Sequence, residues 1–208
     1  MTAEWHKPVS AVLDHFALER VTLMGMSLGG CLVMRAAAFK TRVERVIAYD
    51  VLTSFQEVNL GQTRRGVRGV LKTLLWLRAA TIVNWLIGRV AKKTPVVERG
   101  IQQGMHVTGT NSAFNYLRSV AQFETKDVSA SIGQDVLLLG GSEEHYVPME
   151  QWQDQIKMLS DPRSITARLF TRSEHAQNHC QVGNFGLALR TIVNWLDDMS
   201  ARAARRHE

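Results

Sequence analysis

Gly25-Met26-Ser27-Leu28-Gly29 has the residue types of a serine nucleophile held in a tight turn. Val21-Thr22-Leu23-Met24 ahead of it reads as a strand, and Leu32 to Ala38 behind it reads as a helix. Strand, sharp turn and helix are what a nucleophile elbow requires: the turn strains the serine backbone and lifts its Oγ clear of the sheet. Glycine at 25 and 29 is expected to let strand and helix approach closely at the bend. The Leu28 N–H, at the start of the helix, is the expected oxyanion donor, reinforced by the helix dipole.

A serine hydroxyl is a weak nucleophile near neutral pH. It needs a base within hydrogen-bond reach and a carboxylate to orient that base. The chain offers both downstream. Glu143 and Glu144 follow the apolar run Val136 to Leu139, and His175 and His179 lie in Ser173-Glu174-His175-Ala176-Gln177-Asn178-His179-Cys180-Gln181. The order is serine, acid, histidine. Glu144 is the expected acid with Glu143 as its alternative, and either histidine can serve as base. Asp50, at the end of Arg45-Val46-Ile47-Ala48-Tyr49, is a further acid candidate, although such a residue more often caps the following turn. Cys31 and Cys180 read as packing residues, and two cysteines make no disulfide framework. A Cys–His pair is the weaker alternative, because the elbow already supplies a serine.

These residues need a parallel sheet to bring them to one edge. Residues 9–19 form an apolar stripe at helical spacing, with Pro8 suited to the first turn. The elbow strand and helix follow, then the buried strand Arg45–Asp50. A helix between two strands predicts a parallel pair. Gly133–Gly141 is the next strand, Arg168–Phe170 a short last one, and Phe185–Leu196 a closing helix. Residues 52–130 lack strand alternation and show helical periodicity through Val70, Leu71, Leu74, Leu75, Ile82, Val83 and Leu86. We read them as a helical cap inserted between core segments 1–51 and 131–208. A lid over the serine is the preferred role, and a helix lying on lipid is the competing one.

The chain has 208 residues, 45% of them apolar and 21% charged, as expected of a globular domain. Its net charge of +6 is spread, thickening at Arg64-Arg65-Gly66-Val67-Arg68, Lys92-Lys93 and the tail Arg202–His207. No nucleic-acid motif accompanies these residues, so no nucleic-acid partner is expected. The first residues lack a signal-peptide apolar core, and Val70–Ala91 is broken by Lys72, Arg78 and Arg89. Stable membrane insertion is therefore not expected, and cytoplasm is the expected compartment. No metal or organic cofactor is expected, since neither a ligand cluster nor a phosphate loop is evident.

Four segments together resemble α/β-hydrolases of the fermentation–respiration switch protein group. That group includes 2,6-dihydroxypseudooxynicotine hydrolase and the hydrolases that shorten polyketides. The segments are Gly25–Gly30 with Arg35–Phe39, Gly100–Gly109 with Phe114–Leu117, Asp135–Pro148, and Glu174–Gln181. The last resembles the group's Glu-Gly-Ala-x-x-His-Cys-Gln segment and so implies that His179 is the base. The resemblance implies an α/β-hydrolase fold, a mostly parallel sheet flanked by helices with a helical cap. It further implies a Ser27–His179–Glu144 triad acting on an ester or a ketone-adjacent carbon–carbon bond of a medium-sized substrate. Glu144 stands where the group more often has aspartate, which the triad tolerates.

The group has several strands before its elbow, and this chain has room there for one helix. The expectation is an N-terminally short fold, with the elbow strand at an open edge and no nameable residue for the second oxyanion N–H. Pairing of edges in a homodimer would restore the sheet. The alternative to an enzyme is a catalytically impaired remnant acting as a binding module.

Overall fold

A computed structural model describes residues 1–61, 63 and 65–205. Arg64 of the basic cluster and Arg206 and His207 of the tail lie outside the described residues. The chain divides into two compact units, Met1–Ala3 with Ser54–Glu124, and Glu4–Thr53 with Thr125–Glu208.

The second unit is built on a four-stranded parallel sheet in the order β1-β2-β3-β4. The strands are β1 (Val21–Met26), β2 (Val43–Tyr49), β3 (Asp135–Gly141) and β4 (Ser164–Phe170). Its helices are α1 (His6–His15), α2 (Leu28–Ala37), α8 (Met149–Met158) and α9 (Phe185–Ala204). The continuous apolar runs of β2 and β3 follow from burial on both faces. Val46, Ala48, Val136 and Leu138 turn to one side, with Val33, Met34 and Ala37 of α2 and Trp152 and Ile156 of α8. Ile47, Tyr49, Leu137 and Leu139 turn to the other, with Ala188, Ile192, Trp195 and Met199 of α9. Both interior strands are thus sandwiched, and their carboxyl ends converge on one rim.

The last strand is longer than its sequence suggests: β4 begins at Ser164. Polar and charged residues interrupt its apolar pattern, but it pairs with β3 along its whole length, from Asp135↔Ser164 to Gly141↔Phe170. β1 and β4 are the sheet edges among the described residues, and Met24 and Met26 of β1 are exposed.

The first unit is helical, with α3 (Phe55–Gly61), α4 (Arg65–Trp76), α5 (Ala80–Ala91), α6 (Pro95–Thr108) and α7 (Ala113–Ser119). Leu60, Leu71, Leu75, Val83, Phe114 and Leu117 are buried. The two ends of the segment meet where Phe55 N–H donates to Phe123 C=O at 3.0 Å, beside an antiparallel bridge between Ser54 and Glu124. Gly104 is required inside α6, since a Cβ there would fall 2.3 Å from the Tyr116 ring. No described helix is long and apolar enough to cross a membrane.

Candidate active site

Ser27 joins β1 to α2 with φ 54° and ψ −120°, a backbone region that costs a non-glycine residue energy. Its N–H donates to Tyr49 C=O at 2.7 Å, tying the elbow to the end of β2. α2 starts at Leu28, so the Leu28 N–H belongs to the first turn and has no acceptor within the helix. A Cβ on Gly25 would lie 2.0 Å from Gly29 C=O, so strand and helix meet there at backbone contact. Gly29 differs from expectation: a Cβ there meets nothing within 4 Å. The second close approach is at Gly30, whose Cβ would sit 3.2 Å from Val51 Cα. One position along the helix turns the side-chain direction by about 100°, which brings 30 rather than 29 against the sheet.

His179 Nδ1 lies 2.6 Å from Glu144 Oε2. Glu144 sits in the turn after β3, and its other oxygen accepts the Tyr146 N–H at 2.7 Å. Both side chains are largely withdrawn from solvent. Burial would pull His179 toward its neutral form, but hydrogen bonding to Cys180 and Glu144 and the negative charge of Glu144 outweigh it and hold the imidazole above its ordinary value. Burial would raise the Glu144 carboxyl, but bonds to His179 and to the turn's N–H groups bring it below the ordinary glutamate range.

The other candidates separate by position. Glu143 faces away from the histidine loop's ring and pairs with Arg172, Nε to Oε1 at 2.7 Å. His175 is exposed and closes a single helical turn in the left-handed region at φ 55°. Cys31 is fully buried and Cys180 half-buried, and neither is in a disulfide. Ser27 Oγ makes no hydrogen bond among the described residues. Hydroxyl–imidazole contacts of this kind often close only with substrate bound.

Asp50 does not cap its own following turn. It is 3% exposed and reaches forward to the histidine loop, where it accepts the Cys180 N–H and, at 3.1 Å, the Gln181 side-chain amide. Its Oδ2 lies 3.7 Å from His179 Nδ1. Burial raises its carboxyl to about 6 against the pull of those donors, and the negative charge of Glu144 adds to the rise. The loop needs this support because Cys180 and Gln181 both hold positive φ, 50° and 46°. Tyr49, which the sequence marks only as a buried strand residue, donates its hydroxyl to Cys180 C=O at 2.9 Å. Burial beside Asp50 raises that phenol well above its ordinary value and keeps it a donor. Gly141 lets the loop close on β3: a Cβ there would lie 2.3 Å from Gln177 C=O, which accepts the Glu143 N–H at 2.9 Å. Asp50, His179 and Cys180 place one oxygen, one nitrogen and one sulfur donor within 4.8 Å of each other.

Ser27, Asp50, Glu144 and His179 therefore follow the carboxyl ends of β1, β2, β3 and β4 in turn. The sequence profile of the alpha/beta hydrolase fold matches residues 1–161. The chain belongs to the α/β-hydrolase family. No curated protein sequence matches it. Among solved structures, that of 2,6-dihydroxy-pseudo-oxynicotine hydrolase is similar at 20% identity, with a TM-score of 0.63 over 95% of this chain and 46% of that one. AbyA5 is similar at 14% identity, TM-score 0.64, over 97% and 48% of the two chains. A meta-cleavage product hydrolase from Pseudomonas fluorescens is similar at 16% identity, TM-score 0.55, over 94% and 71%. The chain thus spans about half the length of the first of these α/β-hydrolases.

Proposed function

We propose that the chain is a serine hydrolase that works through an acyl-enzyme. The observation carrying this reading is the buried His179–Glu144 bond on the same sheet rim as the strained Ser27. Ser27 Oγ attacks a carbonyl carbon while His179 Nε2 takes its proton. The Leu28 N–H donates to the developing oxyanion. The tetrahedral intermediate collapses, His179 gives its proton to the leaving oxygen or carbon, and the acyl group stays on Ser27. Water, deprotonated by the same histidine, then releases the acid. Glu144 orients the ring and stabilises its cationic form throughout.

An ester, or a carbon–carbon bond next to a ketone in a medium-sized organic molecule, suits this chemistry. The similar structures include an esterase from Pyrococcus furiosus as well as the two named hydrolases. The test is turnover of p-nitrophenyl esters of graded acyl length and of an aryl diketone. An initial burst with at least one of them, and a loss of about 10³-fold or more in Ser27→Ala, is expected. Full activity in Ser27→Ala would overturn the reading.

A second reading, a catalytically impaired remnant that binds a partner, is favoured by one feature. Among the described residues β1 is a sheet edge, and the oxyanion N–H is that of Leu28. Loss of one such donor costs about 10²–10³ in turnover. A folded chain inert toward every ester and diketone, yet captured by a partner through β1, would favour that reading.

A further inference from the structure

We propose that the exposed face of the α4–α5 hairpin docks on an anionic membrane surface. The charge of the molecule is segregated. Residues 54–124 hold ten Lys and Arg against three Asp and Glu, a net of +7, while the whole chain nets +6. No acidic residue occurs between Glu57 and Glu98. Glu57 is already engaged by Arg68 and Lys72. Among the described residues, no carboxylate lies within ion-pair distance of Arg78, Arg89, Lys92 or Lys93.

The apolar surface of the hairpin is also in excess of what its own packing needs. Leu71, Leu75 and Val83 turn inward and are buried. Trp76 is 80% exposed and Leu77 59% exposed at the turn, and Ile82 and Trp85 are half or more exposed along α5. Ile82, Trp85 and Arg89 share one helical face by their spacing, and the Arg89 guanidinium lies 4.9 Å from the Trp85 ring centroid. Tryptophan, with an apolar body and a polar N–H, is suited to the level of lipid headgroups. Aliphatic groups at that depth with cations beside them are the pattern of a helix lying in a membrane interface.

Charge complementarity decides among occupants. A second copy of the chain would bring like-charged faces together, which is unfavourable. A nucleic acid would satisfy the cations and leave Leu77, Ile82 and both tryptophans in water. An anionic bilayer satisfies both parts.

The test is co-sedimentation of the purified chain with phosphatidylcholine vesicles, with and without phosphatidylserine. We expect pelleting with the phosphatidylserine vesicles alone, released by added salt. Arg89→Gln should weaken it about fivefold. Trp76→Ala with Trp85→Ala should weaken it about tenfold or more without changing the circular dichroism spectrum. No pelleting with phosphatidylserine vesicles would overturn the proposal, as would equal pelleting with neutral ones. A dimer in sedimentation velocity that Trp76→Ala converts to monomer would also overturn it, by assigning the face to self-association. None of these readouts depends on hydrolysis.

Discussion

His179 Nδ1 stands 2.6 Å from Glu144 Oε2 and 3.7 Å from Asp50 Oδ2, so one imidazole faces two buried carboxylates carried by different strand ends. Hydrogen bonding to Cys180, together with the hydrogen bond and negative charge of the nearer carboxylate, raises the imidazole. A base must be neutral to accept the serine proton, so hydrolysis should rise with pH along a limb lying above the ordinary histidine value of about 6.5. Glu144→Gln removes the anion while keeping the side chain's size. It should shift that limb to lower pH and reduce the plateau about 10³- to 10⁴-fold, because the ring loses its orientation and its charge partner. A pH profile of ester hydrolysis for both proteins measures both effects. An unmoved limb would show that Glu144 does not act on His179.

Asp50 has the opposite linkage. Its carboxyl goes from the ordinary 3.8 to about 6 in the fold, so folding disfavours its ionised form. Stability on this account is highest below pH 3.8, falls between 3.8 and about 6, and stays low above that. Asp50→Asn removes the titration. Its stability relative to the parent should rise by about 2–3 kcal/mol across that window and then level off. The new amide would meet the Gln181 side-chain nitrogen, and a flip of Gln181 would pair its Oε1, a buried atom without a partner among the described residues. Urea unfolding at closely spaced pH values reads the difference. Parallel curves for the two proteins would rule out a titrating Asp50.

Ser27 stores backbone strain that glycine would not. At φ 54° and ψ −120°, both Ser27→Ala and Ser27→Gly should be inactive, but they should differ in stability. Relief of about 1 kcal/mol corresponds to a Tm about 2–4 °C higher for the glycine variant in a chain of this size. Equal melting temperatures in calorimetry would mean the elbow is unstrained.

The elbow was legible because its signal is local: apolar strand residues, two glycines around a serine, and an alanine-rich helix within one short stretch. The acid strand and the histidine loop were legible through chain order, and the pairing of His179 rather than His175 with Glu144 through the Glu174–Gln181 segment. What was hidden depends on geometry between distant residues. Asp50 meets a backbone 130 positions away, and nothing near it in sequence marks that contact. The role expected of Gly29 falls to Gly30, because periodicity resolves a face to within a residue and a close contact does not. Residues 164–167 were missed as strand because edge strands carry polar side chains. Periodicity in α4 and α5 could not tell which apolar residues are buried and which are left in water.

Gly141 connects the acid turn to the histidine loop. Gly141→Ala would drive a Cβ into Gln177 C=O, now 2.3 Å from that point, and weaken the bond from the Glu143 N–H. The expected cost is about 1–3 kcal/mol of stability. Turnover should fall further than the stability loss explains, because the clash displaces the loop that carries His179. Thermal melts combined with kcat at a temperature where both proteins stay folded separate the two effects. Unchanged kcat in a destabilised variant would mean the loop position does not govern the chemistry.

The central claim is that Ser27 is a nucleophile activated by His179, and covalent labelling tests it most directly. The purified chain is treated with a fluorophosphonate and the adduct mapped by mass spectrometry, with Ser27→Ala and His179→Ala alongside. The account predicts one adduct on Ser27, none in Ser27→Ala, and labelling slowed by about 10³-fold or more in His179→Ala. A folded parent chain that takes no label, or that is labelled equally well without His179, would contradict it.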